Sequence, residues 1–223
     1  MAARWNGFTL VELLVVIALM GLLIGLTIPA FQSMGRGTAA KSAVAQVRAA
    51  LTLARQHAIV NGERTYVVFP SLPSQGEKYL RSFNIYGQSN GYLQAWTYLP
   101  GGVVFIKDRS SFFNENLIDD DKNVFANGSL LPKIQYALPF PSNNSPDVVM
   151  RVIGFMPDGK PFSVDGNLRG PDAELYITEG TVSVNPGTGV GTYAVRSKEN
   201  SSLYSVSLNP LTGMSKVVDY RAF

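Results

Sequence analysis

Four groups of residues have the types and spacing to do chemistry. Gly87-Gln88-Ser89-Asn90-Gly91 fits G-x-S-x-G, a nucleophile pattern that needs a strand-to-helix elbow and a histidine brought near by the fold. The run lies between two expected strands. The sole histidine, His57, sits on an expected helix and reads as a surface residue. The run therefore reads as a hairpin turn. Asp119-Asp120-Asp121-Lys122-Asn123 alternates carboxylates as a calcium loop does, but the sixth place is Val124 and the twelfth is Leu130, where such a loop needs glycine and glutamate. It reads as a solvated acidic loop. Pro186-Gly187-Thr188-Gly189-Val190-Gly191 lacks the G-x-G-x-x-G spacing and a following helix, so it reads as a flexible turn. No cysteine is present, which removes disulfides, thiolate catalysis and Cys-ligated metal. No nucleophile–base pair, phosphate loop or metal cluster remains. The expectation is a non-enzyme with no cofactor and no metal.

The fourth group is a lone acid. Glu12 opens an apolar run with no other charge before Arg36. About 20 mostly apolar residues in a helix span a bilayer, and this run is long enough. A cleaved secretory signal fits poorly, because its apolar core should be roughly 7–15 residues and this one is longer and carries Glu12. A plain anchor is physically possible, since an acid near a helix end costs less than one at the centre. That reading leaves Glu12 without a purpose.

Gly7-Phe8-Thr9-Leu10-Val11-Glu12 resembles the processing motif of type IV prepilins. That motif has a short basic leader ending in glycine, an aromatic first residue and a glutamate at the fifth place. The resemblance implies that a prepilin peptidase cuts between Gly7 and Phe8 and methylates the new amino terminus. It also implies assembly into a filament with other pilin or pseudopilin subunits at an inner-membrane assembly platform. The leader, residues 1–7, carries Arg4 and should stay cytoplasmic. Gly7 lets a protease approach the backbone closely. The freed amine is a cation in an apolar filament core and needs a partner. Glu12 is then an assembly contact, its acid meeting the amine of a neighbouring subunit. Gly21, Gly25 and Pro29 interrupt the same run. They are either points where the helix extends in a filament or the Gly and Pro ordinary in membrane helices.

The elements that must position these residues follow from periodicity. Ala40, Val44, Val47, Leu51, Ala54 and Ala58 step by three and four along one helical face, and Asn61-Gly62 is a stop. Lys41, Arg48 and Arg55 repeat every seven residues on the opposite side, as a solvated face or a contact with acidic neighbours. From position 65 the pattern turns to period two. Strands are expected at 65–69, 79–86, 92–99, 103–106, 148–155, 174–178, 193–196, 203–208 and 214–220. Loops are expected at 108–133 and 139–147. The fold class is α+β: a long N-terminal helix, with a membrane half and an amphipathic half, packed on an antiparallel β-sheet head in pilin-like fashion. The divisions are a cleaved leader at 1–7, a transmembrane and assembly helix at 8–35, an amphipathic helix at 36–62 and a β-rich head at 63–223.

Ala54-Arg55-Gln56-His57-Ala58, the turn Ile153-Gly154-Phe155-Met156-Pro157-Asp158-Gly159 and the late hairpin through 209–213 resemble the GspH/FimT group of minor pilins and pseudopilins. This resemblance implies a minor subunit in the tip or initiating complex of a type II secretion pseudopilus or a type IV pilus. The subunit would be held single-pass in the inner membrane with a periplasmic head, then exported into the pseudopilus or an extracellular pilus. Two other functions stay open. One is DNA capture through Arg196, Lys198, Lys216 and Arg221; the other is a major structural pilin. The net charge of +3 comes from the N-terminal quarter: from Glu63 onward there are 14 basic and 15 acidic side chains. That balance argues against strong nucleic-acid binding by the head.

Overall fold

The computed structural model describes residues 9–111, 115–125, 135–162, 173–196 and 201–220, with the backbone alone at 25–37, 111, 115 and 135. The fold is α+β, with one N-terminal helix and antiparallel sheets. Contacts divide the chain into two units, Met1–Thr38 and Ala39–Phe223.

The helix α1 runs Leu10–Asn61. Thr9 and Glu12 satisfy its first free N–H groups, and Gly62, at φ +64°, takes the left-handed conformation that ends it. The backbone is helical through Gly21, Gly25 and Pro29. Within the second unit, Ala40, Ala43, Val44, Val47, Ala50, Leu51, Ala54 and Ala58 are buried. Their small side chains let the sheets approach closely.

The first sheet is ordered β3-β2-β1-β7-β6, with β4 also on β2 and β8 also on β7. Its strands are β1 (Thr65–Phe69), β2 (Ser82–Gly87), β3 (Gly91–Tyr92), β4 (Thr97–Tyr98), β6 (Gln135–Pro139), β7 (Asp147–Phe155) and β8 (Pro161–Phe162). The second sheet is ordered β10-β9-β11-β12, with β5 also on β9. It holds β5 (Val103–Phe105), β9 (Glu174–Val184), β10 (Gly191–Val195), β11 (Leu203–Leu208) and β12 (Ser215–Tyr220).

Strand alternation builds two cores from the first sheet. Val67, Phe69, Phe83, Ile85, Ile153 and Phe155 meet α1 and the inward residues of the second sheet in the main cluster. Tyr66, Val68, Met150 and Val152 enter a second cluster with Leu138 and Phe162. β1 is thus buried on both faces, which is why it reads as an almost continuous apolar run. The two ends of this sheet meet over the second cluster. Tyr92 on β3 donates its hydroxyl to the Pro139 carbonyl of β6 at 2.6 Å, and Trp96 donates its indole N–H to Pro141 at 2.8 Å.

Several expectations need correction. The strand expected at 92–99 is two short pieces, because Asn84 takes the Gln94 carbonyl and Trp96 turns toward Pro141. The strand expected from 79 begins at Ser82, after a 3-10 turn at Pro73–Lys78 and a left-handed Leu80. The strand expected to stop at 178 continues to Val184 through Gly180. A Cβ there would strike Val104 and the Ala194 carbonyl, so this glycine permits a close strand approach rather than marking a turn. β6 and β8 were not expected at all. Both are short and start or end in proline, which hides a period of two.

Candidate functional site

Gly7 and Phe8 lie outside the described residues. Immediately after them, Thr9 and Glu12 form a reciprocal cap. The Thr9 backbone N–H and hydroxyl donate to Glu12 Oε2 at 2.9 and 2.8 Å, and the Glu12 N–H donates back to Thr9 Oγ1 at 3.3 Å. This is a T-x-x-E capping box, a signature that Thr9 and Glu12 carry in the sequence itself. Glu12 therefore has a local purpose that a plain anchor also provides. The cap occupies one carboxylate oxygen; Oε1 has no partner among the described residues.

Beyond the cap, large apolar side chains from Leu10 to Ile24 stand in the open, with Leu10 at 81%, Leu13 at 57% and Leu22 at 62% exposure. Among the described residues, no helix is long and apolar enough to cross a membrane. The side chains described in this stretch end at Ile24, short of the roughly 20 residues a span requires.

At the other end of α1 three motifs meet. The Arg55 Nε–H donates to the Gly159 carbonyl at 2.9 Å. Gly159 sits at φ +80° and Gly213 at φ +69°. A Cβ on Gly159 would strike Ile59, and one on Gly213 would strike the Gly159 carbonyl oxygen. Arg55 thus ties the β7–β8 turn to the helix by a hydrogen bond and lies beside Gly213 of the β11–β12 turn from the other sheet. Lys41 and Arg48 are exposed, but Arg55 is half-buried and bonded, so the heptad-spaced basic residues are not one solvated stripe.

His57 is not a surface residue either. Its side chain is 18% exposed, with Nδ1 3.0 Å from Thr65 Oγ1 and 3.7 Å from Glu63 Oε1. Glu63 in turn accepts the Ser89 N–H at 2.9 Å. Hydrogen bonding from Ser89, with smaller help from the nearby His57 and Asn90, holds the Glu63 carboxyl below its usual range. The fold does bring the histidine beside the G-x-S-x-G turn, contrary to its expected remoteness. Gly87 makes room for it: a Cβ there would strike Glu63 and crowd His57. Yet no Ser89–His57 hydrogen bond exists among the described residues. Glu63 clamps the hairpin, and the cluster is a structural joint.

The acidic run is consumed locally. Asp119 pairs with Lys122 at 3.2 Å and accepts the Asp121 N–H, while Asp120 pairs with Arg109 at 3.6 Å. Among the described residues no group of three or more acids or histidines could hold a metal ion. Of the four basic residues considered for DNA, Lys198 and Arg221 lie outside the described residues. Arg196 pairs with Glu179 at 3.8 Å and stands level with it. Lys216 stands level with Ser207, and Ser207 with Glu174. Arg196 and Lys216 are therefore offset by five residues along β9, roughly 17 Å at about 3.3 Å each, and also by three strand spacings across the sheet, roughly 14 Å more.

No curated protein and no solved structure matches the chain. The family model for the prokaryotic N-terminal methylation motif matches residues 6–28, the stretch that holds Gly7, Phe8, the Thr9–Glu12 cap and the exposed apolar helix, and this match supports a type IV pilin-like precursor.

Proposed function

We propose that this chain is a minor pilin or pseudopilin of the GspH/FimT kind, working in the tip or initiating complex of a type II secretion pseudopilus or a type IV pilus. The observation that carries the reading is the methylation motif over 6–28 coinciding with a helix start whose acid keeps one oxygen unused. Prepilin peptidase would cut after Gly7 and methylate Phe8. The new amine would then meet Glu12 Oε1 of an adjacent subunit, while Thr9 holds Oε2 and fixes the carboxylate plane. Gly21, Gly25 and Pro29 would let the helix yield where subunits crowd. Among the described residues, the large apolar side chains from Leu10 to Leu23 are exposed. Burying each in a bilayer or among other pilin helices gains roughly 1.5–3 kcal/mol, which supports membrane storage at 8–35 before assembly. The head, 63–223, would face the periplasm and contact other minor subunits.

The test is Glu12→Ala expressed with its own assembly machinery. The variant should be processed and membrane-held, with incorporation into sheared filaments falling by about tenfold or more, as expected when a desolvated charge loses its partner. Incorporation equal to the parent chain would contradict the assembly role. Glu12→Gln, which keeps a capping side chain but no charge, separates the two duties of the residue: it should assemble as poorly as Glu12→Ala.

A further inference from the structure

The edge of the first sheet at β4 combines two unmet demands. The first is in the backbone. β4 pairs with β2 alone among the described strands, with Ser82 opposite Tyr98 and Phe83 opposite Thr97. Leu99 donates its N–H to the Arg81 carbonyl at 2.8 Å. Antiparallel alternation then turns the N–H and C=O of Tyr98 away from β2, and neither has a partner among the described residues.

The second is in the side chains. The Lys78 ammonium and the Arg81 guanidinium each lie 5.7 Å from the centre of the Tyr98 ring. Tyr98 is 38% exposed. Neither cation has an acid partner among the described residues, and Glu77, next in sequence to Lys78, pairs with neither. Two cations are thus held at one ring with no acid among the described residues to neutralise them. Cation–π attraction offsets only about 0.5–1 kcal/mol at an exposed site.

We infer that this edge docks an extended acidic segment of another protein subunit, which adds as a strand beside β4 and places carboxylates on Lys78 and Arg81. Strand addition satisfies the outward N–H and C=O of Tyr98, and side chains at alternate positions reach the cations. A protein strand suits the site better than a nucleic acid. Two cations neutralise few phosphates, and nucleic-acid affinity grows with the number neutralised. A phosphate backbone also offers no donor for the Tyr98 carbonyl. The inference concerns the head alone, and its failure would leave the methylation-motif reading untouched.

Fluorescence anisotropy on the full chain in detergent micelles tests it, using a labelled peptide of alternating glutamate and threonine at low salt. The peptide should bind, and Lys78→Gln/Arg81→Gln should weaken it about tenfold, as loss of two charge-assisted bonds implies. A second probe keeps the parent protein intact: the same peptide N-methylated along one edge retains every charge but cannot pair as a strand, and it should bind at least about tenfold more weakly. The inference is overturned if the glutamate peptide does not bind, if the double variant or the methylated peptide binds equally well, or if an oligothymidine binds through Lys78 and Arg81 while the peptide does not.

Discussion

The two halves of α1 differ in both composition and burial. From Leu10 to Ile24 the side chains are large, apolar and exposed. From Ala40 to Ala58 one face is made of alanine, valine and leucine, and it is buried to the last residue. The second half has its partners within the chain: β1, β2, β5, β7, β9 and β11 all contribute to the cluster around it. The first half, among the described residues, leaves its large apolar side chains from Leu10 to Leu23 exposed. Small residues mark the half that packs on its own sheets. Large aliphatic residues with a capped acid mark the half that stays exposed among the described residues.

The contrast can be broken from either side. The largest effect should come from the packed half. Gly213→Ala puts a Cβ against the Gly159 carbonyl in a left-handed backbone and loosens the joint that Arg55 makes with both turns. It should destabilise the head by about 2–4 kcal/mol, read as a lowered midpoint in urea. A smaller effect tests the neighbouring clamp. Glu63→Gln should cost about 1 kcal/mol at neutral pH. Because the folded Glu63 carboxyl is held below its usual range, its contribution is full above the unfolded value and is lost as pH falls through the folded one. The gap between parent and variant should therefore close on acidification below about pH 4, the ordinary carboxylate range. A gap that widens in acid would show that Glu63 is not clamped as charged. The smallest effect should come from the exposed half: Leu13→Ser should leave the head's unfolding free energy, read from urea titration, within about 0.5 kcal/mol of the parent's, while weakening retention in membranes on carbonate washing.

Much of this architecture is legible from local pattern. β1 and β11 match their expected bounds to the residue, because each is a β-branched or aromatic run closed by turn residues. The buried stripe of α1 is legible from its three-and-four spacing, and the helix end from Asn61-Gly62. What escapes is non-local. The strand expected to end at 178 runs on through Gly180, where crowding by Val104 and Ala194 leaves room only for glycine. His57 looks like a stalk residue until the hairpin beyond Gly87 folds over it. Arg55 looks like one of three equal bases until Gly159, more than a hundred residues later, accepts its N–H. The N-terminal site is the opposite case. The T-x-x-E spacing of Thr9 and Glu12 is local and legible, and the acid's nearest partner lies three residues away rather than at a distance.

Intact-protein mass spectrometry of the chain recovered from cells with an active prepilin peptidase is the most direct test of the pilin reading. The recovered chain should begin at Phe8, shortened by residues 1–7 and carrying one added methyl group on its amine. A chain that keeps residues 1–7 in the presence of that peptidase, while the peptidase matures another substrate in the same cells, would contradict it.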